Sequence, residues 1–492
     1  MRLKTIHTIK RLSVALALSC AILFSGSFSL AQTSDLNLPT LGNSGANMFS
    51  DDQKYDLGRA WLMAFRGQAP TVDDPIIYDY LEHLIYRLAQ HSQLQDRRID
   101  IVVVANPTLN AFAVPGGVVG VHNGIFINAK NEAQLGSILA HELAHLSQQH
   151  FERGVEARQR STIPTMAGLL AGIVLAATTG SDAGIAAIAA SQAGAIQSQL
   201  RFSRQNEQEA DRIGMQTMVD AGLDPRQSAA MFEEMQRASR YYGNRAPEFL
   251  LTHPLTETRI SDAKTRGDRY PAGGSVNSID YAIVQARVRI YYEENPQSAI
   301  KFFRAKINTT QGVELESNHY GLAIALTDAG RYEEARKELT PLLEKRRNNI
   351  PYQLADTKLL AASGQAKQAQ LRLQQLLKIN PTNYPLMQSY AKLLLATNQI
   401  QASRDVWLRL SELYPNQPSI WYQLAEVQGL SGNIKAVHTA RAEYFLLAGN
   451  PDAATRHLNY ALKLVEGDYL QTEIIQQKIR DIQAWKQRLN LK

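Results

Sequence analysis

The chain has a single cysteine, Cys20, in 492 residues. One thiol can build neither a disulfide framework nor a thiolate metal site, so any bound metal must rest on His, Asp or Glu. A large charge of one sign is also missing. The formal +6 includes Arg2, Lys4, Lys10 and Arg11, which leaves the remainder near +2 and gives no electrostatic footprint for nucleic acid. No stretch beyond the N-terminal leader holds the ~20 uninterrupted apolar residues of a membrane span, which argues against an integral membrane protein.

What is present starts with that leader. After the four basic residues come an apolar segment, Leu12 to Phe24, and the small-x-small triplet Ser29-Leu30-Ala31. This pattern predicts a signal peptide over 1–31, with a mature chain from Gln32. The apolar segment is short for a span, and the apolar Ala21 to Phe24 after Cys20 argue against a lipid-modified start. A hydrophobic content of 45% with 20% charged residues belongs to a globular chain, and this length predicts two to four domains.

The chain is organised around Ala140-His141-Glu142-Leu143-Ala144-His145. Leu135, Ile138, Leu139, Leu143 and Leu146 recur at helical spacing, which predicts an amphipathic helix with one buried stripe. Residues four apart share a face, so His141 and His145 can reach one zinc ion, with Glu142 beside them as general base. A chance His-Glu-x-x-His is expected in about 1 in 100 chains of this composition. Before this helix, Ile99 to Val104 is β-branched and reads as a strand. Asn110-Ala111-Phe112-Ala113, followed by Val114-Pro115-Gly116-Gly117, reads as an edge strand or a tight turn, because Pro cannot donate to a central ladder. An edge strand there would bind an extended peptide by sheet addition, although a plain hairpin fits equally.

A catalytic zinc needs a third protein ligand. Glu207 is the choice, with Asp211 one turn on and the small Ala210 between them to allow close packing. Asp211 could accept the free ring N–H of a ligand histidine. Glu209 falls on a different face and is expected to be solvated. His150 competes as a ligand, but on a continuous helix it rotates away from His145, and the charged run 152–160 reads as a solvated continuation. Residues 163–195, rich in Ala, Gly, Ile and Leu, predict a small-residue helical hairpin. It is read either as a flap that touches a membrane surface or covers the site, or as ordinary helix packing.

Tyr270-Pro271-Ala272-Gly273-Gly274-Ser275 predicts a linker. Beyond it Gly330, Gly364, Asn398 and Gly432 recur every 34 residues, and Pro381 and Pro415 are again 34 apart. That is the period of the tetratricopeptide helix-turn-helix repeat, with units near 317–348, 351–381, 384–415 and 418–448 and flanking helices that extend the stack. The expected fold is α+β and mainly α: a helical zincin-type domain with a small sheet over 32–270, then an α-solenoid over 271–492.

His141-Glu142-x-x-His145 followed by Glu207-x-x-Ala210-Asp211 resembles the motif pair of the M48 family of zinc metallopeptidases, and Asn110 to Gly117 resembles its edge-strand region. The resemblance implies one Zn2+ on His141, His145 and Glu207, Glu142 as catalytic base, and Asp211 as a catalytic or orienting acid. It also implies that His253, in Thr252-His253-Pro254, can cap the fourth zinc position and hold the enzyme off. Arg259 and His253 are candidates for steadying the oxyanion. A signal, an M48 domain and repeats together resemble a bacterial branch of the family. That likeness implies a periplasmic endopeptidase and chaperone acting on outer-membrane β-barrel proteins beside their assembly machinery. The competing reading is a protein-binding chaperone whose proteolysis is minor or latent.

Overall fold

The computed structural model describes residues 50–159, 204–242 and 247–488. The expected leader and the expected 163–195 hairpin lie outside them. The described residues fall in one compact unit. Among the described residues no helix is long and apolar enough to cross a membrane.

Helix α1 (Asp51–Arg66) starts at a capping box between Ser50 and Gln53. In α2 (Pro75–Gln90), Pro75 opens the helix and the Asp74 side chain accepts from the Ile76 and Ile77 amides. Strands β1 (Asp100–Val104), β2 (Ala111–Val114) and β3 (Val118–His122) form a sheet of order β1-β3-β2. β1 runs parallel to β3, and β2 runs antiparallel to it on the edge. Val102, Val104, Val114 and Val118 pack on Trp61, Leu62 and Phe65 of α1. The opposite face, with Ile101, Val103, Ala111, Val119 and Val121, packs into the main core. A sheet covered on both faces needs apolar residues at successive positions, which is why β1 reads as an unbroken β-branched run.

Both readings of the Pro115 stretch hold, since an edge strand leads into a tight turn. Gly116 and Gly117 have φ of 88° and 77°. A Cβ on Gly116 would stand 2.1 Å from the Lys54 carbonyl oxygen, so the turn is pinned beneath α1.

After the short α3 (Ile125–Asn128), helix α4 (Glu132–Ser147) carries the two histidines. It differs from the expected amphipathic helix: every residue from Glu132 to His145 is buried. Helices α2, α6 and α7 and strand β2 surround it, so no face is left for solvent. The expected continuation past His145 is also corrected. Gln149 takes a left-handed φ of 51°, ending one helix and starting α5 (His150–Gln159) in a new direction. Helices α6 (Arg204–Asp220), α7 (Arg226–Tyr242), α8 (Glu248–Thr252) and α9 (Glu257–Gly267) complete the N-terminal half.

The Gly-rich 270–275 stretch is stitched down rather than slack. The Asp224 amide donates to the Ser275 carbonyl, the Ser275 amide to Gly222, and the Ala133 amide to Val276. Helix α10 (Ile279–Tyr292) then places Tyr281, Val284 and Val288 in the main core. The composition change near 270 therefore marks a change of pattern, not a break in packing.

From α10 the chain forms stacked helices: α10 and α11 (Pro296–Ile307) both pack on α12 (Gly312–Asp328), which forms a hairpin with α13 (Tyr332–Lys345), and α14 (Ile350–Ala362) forms one with α15 (Ala366–Ile379). Then follow α16 (Tyr384–Ala396) with α17 (Ile400–Leu413), α18 (Pro418–Leu430) with α19 (Ile434–Leu447), and α20 (Pro451–Lys463) with α21 (Tyr469–Arg488). Gly330, Gly364, Asn398 and Gly432 turn four of them with φ of 74°, 83°, 60° and 79°. Ala335, Ala369 and Ser403, at the same offset, are fully buried between helices. The stack is tied back to the N-terminal half. Asn416, between α17 and α18, donates to the Asp100 carboxylate at 3.1 Å and accepts from Arg66 at 3.0 Å.

Asn398 supplies a left-handed turn where its three counterparts use glycine. Asn398→Gly should therefore change unfolding stability by less than about 0.5 kcal/mol, whereas Asn398→Val should cost about 1–2 kcal/mol in chemical denaturation.

Candidate metal centre

The site begins where α6 crosses α4. Ala144, Ala210 and Ile213 pack together, and Gly214 lies so close that a Cβ on it would stand 3.0 Å from the His141 amide nitrogen. With Ala144, Ala210 and Gly214 at the closest approach, Glu207 and Asp211 on α6 come level with His145 and His141 on α4.

His141, His145, Glu207 and His253 each offer a ligand atom, and these atoms all lie within 4.8 Å of one another, every residue buried. His145 Nε2 is 2.9 Å from His141 Nε2. The Glu207 carboxylate lies 3.5 Å from His145 Nε2 and 3.6 Å from His141 Nε2. His253 enters from the α8–α9 connection with its ring stacked on Phe249, Nδ1 3.1 Å from Glu207 and 3.4 Å from His141 Nε2. Its other nitrogen faces Glu142 at 3.4 Å.

The outer partners decide which ring nitrogens carry protons. Asp211 Oδ1 lies 3.0 Å from His141 Nδ1, so that nitrogen takes the proton and Nε2 presents its lone pair. His150 Nδ1 is 2.8 Å from His145 Nδ1, while His150 Nε2 is 3.1 Å from Glu209. The carboxylate claims the Nε2 proton of His150, so its Nδ1 accepts from His145 and the Nε2 of His145 is again a lone pair. Two lone pairs facing each other at 2.9 Å repel unless a cation lies between them. A proton meets that demand in part: burial opposes it, but Asp211 and Glu207 raise the His141 pKa to about 9. A metal ion meets it with all four donors, and three imidazoles with one carboxylate are a zinc-type set.

The other ionisations follow from burial and these neighbours. Burial pushes His145 down, helped by His141 and His253. Burial would raise Glu207, yet His253 and His141 hold its carboxyl far below the usual range. Asp211 resists burial in the same way through Arg259 and His141. Burial raises Glu142, opposed by His253, by His141 and more weakly by the nearby Ala113 backbone amide.

That last contact locates the sheet edge. The His122 amide donates to the Asn110 carbonyl, and Phe112 and Val114 stand opposite Gly120 and Val118. Antiparallel pairs alternate, so Asn110, Phe112 and Val114 bond to β3, and Ala111 and Ala113 turn their backbone groups to the strand's other edge, beside Glu142, where Ala111 is buried. Asn110 itself precedes the strand.

Two expectations change. Arg259 is not held toward a substrate oxyanion. Its guanidinium grips Asp211 through two bonds of 2.7 and 2.8 Å, contacts Glu207 at 2.8 Å and donates to the Pro254 carbonyl at 2.9 Å. Glu209 is not simply solvated, because it pairs with His150 and with Arg153 at 2.9 Å. Sequence spacing missed the His150 contact because it assumed an unbroken helix. The left-handed Gln149 that returns His150 to His145 has no residue signature.

Against this geometry, the sequence signature of Peptidase family M48 matches residues 77–267, and that of a tetratricopeptide repeat matches 360–427. The chain belongs to the M48 family of peptidases and carries a tetratricopeptide repeat region. It is a metalloendopeptidase. It is 33% identical over 439 residues to a Vibrio cholerae protein named as a beta-barrel assembly-enhancing protease, covering 89% of this chain and 90% of that one. The Escherichia coli K12 protein of that name is 36% identical over 318 residues, 64% of each chain. That of Yersinia pestis is 31% identical over 412 residues, 84% of each.

Metal analysis of purified protein should give about one ion per chain, and His141→Ala or Glu207→Ala should lose it. Gly214→Ala, which presses a methyl on the His141 backbone, should cost about 1–3 kcal/mol in unfolding free energy and weaken metal retention in parallel.

Proposed function

We propose that the chain is a periplasmic zinc endopeptidase and chaperone, held closed by His253, that degrades misassembled outer-membrane β-barrel proteins and assists their assembly. The observation that carries this reading is the convergence of His141, His145, Glu207 and His253 beside Glu142 and the outer edge of β2. The relatives' names support the β-barrel connection, and the predicted leader supports the periplasm.

Zinc on His141, His145 and Glu207 would supply Lewis acidity, polarising the scissile carbonyl and bringing a water's pKa toward ~7. The chain's own residues do the rest. An extended segment pairs with Ala111 and Ala113, which sets its backbone beside Glu142. Glu142, with its pKa raised by burial, accepts the proton of the attacking water and returns it to the leaving nitrogen. Asp211 orients His141, and Arg259 holds Asp211 and Glu207 in place as a positioning residue. His253 occupies the space that water and substrate need, so catalysis requires its segment to move. The repeats supply a protein-binding surface that selects clients or the assembly machinery.

The burial of His253, 2% exposed, favours a second reading in which binding is the main activity and proteolysis is latent. Glu142→Gln separates the two. It should keep zinc while proteolysis falls by about 10²–10⁴-fold. If barrel assembly in cells is then fully retained, proteolysis is not the main activity. His253→Ala should raise basal cleavage of an unfolded test protein, and an unchanged rate would count against the cap.

A further inference from the structure

The two α4 histidines are supported differently. His141 is backed directly by a carboxylate, Asp211, which Arg259 grips in turn. On its Nδ1 side His145 is backed by a second imidazole, which in turn meets a carboxylate. His150 is buried, 1% exposed, although it opens a helix whose first turn also carries the exposed Arg153. A histidine at a helix start would ordinarily lie in solvent. Here the left-handed Gln149 turns α5 back so that His150 stands on His145, ring centroids 4.8 Å apart and nearly perpendicular. That edge-on arrangement points a ring nitrogen of each at the other, at 2.8 Å. On the far side Glu209, fixed by Arg153, takes the second nitrogen of His150.

We infer that His150, held by Glu209, is a positioning residue for the metal centre: it accepts the Nδ1 proton of His145 and so fixes both the direction of that ring and the availability of its Nε2 lone pair. Without an acceptor at this position the His145 proton can shift to Nε2, the nitrogen that faces His141 and Glu207. A metal would then have to displace that proton and reorient the ring. Outer partners of this kind set metal affinity by about 10–100-fold. Because a neutral imidazole accepts less strongly than a carboxylate, His150 raises the basicity of His145 less than Asp211 raises that of His141. The inference rests on the zinc reading above.

The test is zinc affinity of the full-length protein, stripped with chelator and titrated with zinc against a fluorescent competitor. His150→Phe keeps ring bulk and removes the acceptor, so zinc should bind about 10–100-fold more weakly. His150→Gln restores a carbonyl acceptor and should recover most of that loss. Affinity of His150→Phe within threefold of wild type, or equal losses in Phe and Gln, would overturn the inference, the latter by making the role one of packing. Glu209→Ala, a change at a part-exposed side chain, covers the case in which His150→Phe does not fold. It should weaken zinc in the same direction by less, and unchanged affinity would overturn the inference as well. His145→Ala distinguishes the two levels. If it binds zinc as tightly as wild type, the metal-site reading fails and this inference with it. If it loses zinc while the His150 and Glu209 variants do not, only this inference fails.

Discussion

The structure depends on how closely two helices approach. Where α6 crosses α4, Ala144, Ala210 and Gly214 leave no room for larger side chains, and the backbone of His141 is the surface on which α6 rests. That spacing places an acid from one helix within reach of two imidazoles from the other. A helix pair held apart by leucines would leave Glu207 too far from the histidines for one ion to bridge them. The apolar residues of α4 serve the same end: they bury the helix on every side, which fixes its axis and leaves its histidines little freedom.

Burying five ionisable groups together is costly unless each has a partner. The chain meets this with two layers. Arg259 ties the carboxylates of Glu207 and Asp211 to the Pro254 carbonyl, next to His253, so the residue that steadies the acids also touches the segment that carries the third histidine. Glu142 is reached from both sides, by His253 and by the Ala113 amide of the sheet edge. Closure and edge strand thus converge on one carboxylate. Whatever moves His253 changes the surroundings of Glu142 at the same time.

Much of this was legible in the sequence, and the reasons differ by element. The histidine pair follows from helical spacing plus ligand chemistry, whereas Glu207 and Asp211 stand out with the help of the motif that resembles the M48 family. The repeat turns were legible because a left-handed residue every 34 positions favours Gly or Asn, as Gly364 and Asn398 illustrate. The edge strand was legible through Pro115 and its glycines, which no central strand tolerates. His150 and Arg259 were not. Their roles depend on a backbone reversal at Gln149 and on α9 packing beside α6, and neither leaves a pattern in composition or periodicity. The all-round burial of α4 was missed for a related reason: its alanines and glycine read as a weak polar face, whereas in the fold they are sites of close contact.

Repeat arrays are ordinarily the most portable of protein parts, lengthened, trimmed or transplanted hairpin by hairpin because each unit touches only its neighbours. The first helix here breaks that rule. Tyr281, Val284 and Val288 of α10 sit in the core built around the catalytic-type helix, and the Tyr281 hydroxyl donates to the Ala129 carbonyl just ahead of it at 2.8 Å. The array is therefore not a cartridge attached to an enzyme. Its first helix belongs to the enzyme's interior, and Asn416 ties a later turn to Asp100 and Arg66, so the two halves can be exchanged between relatives only together.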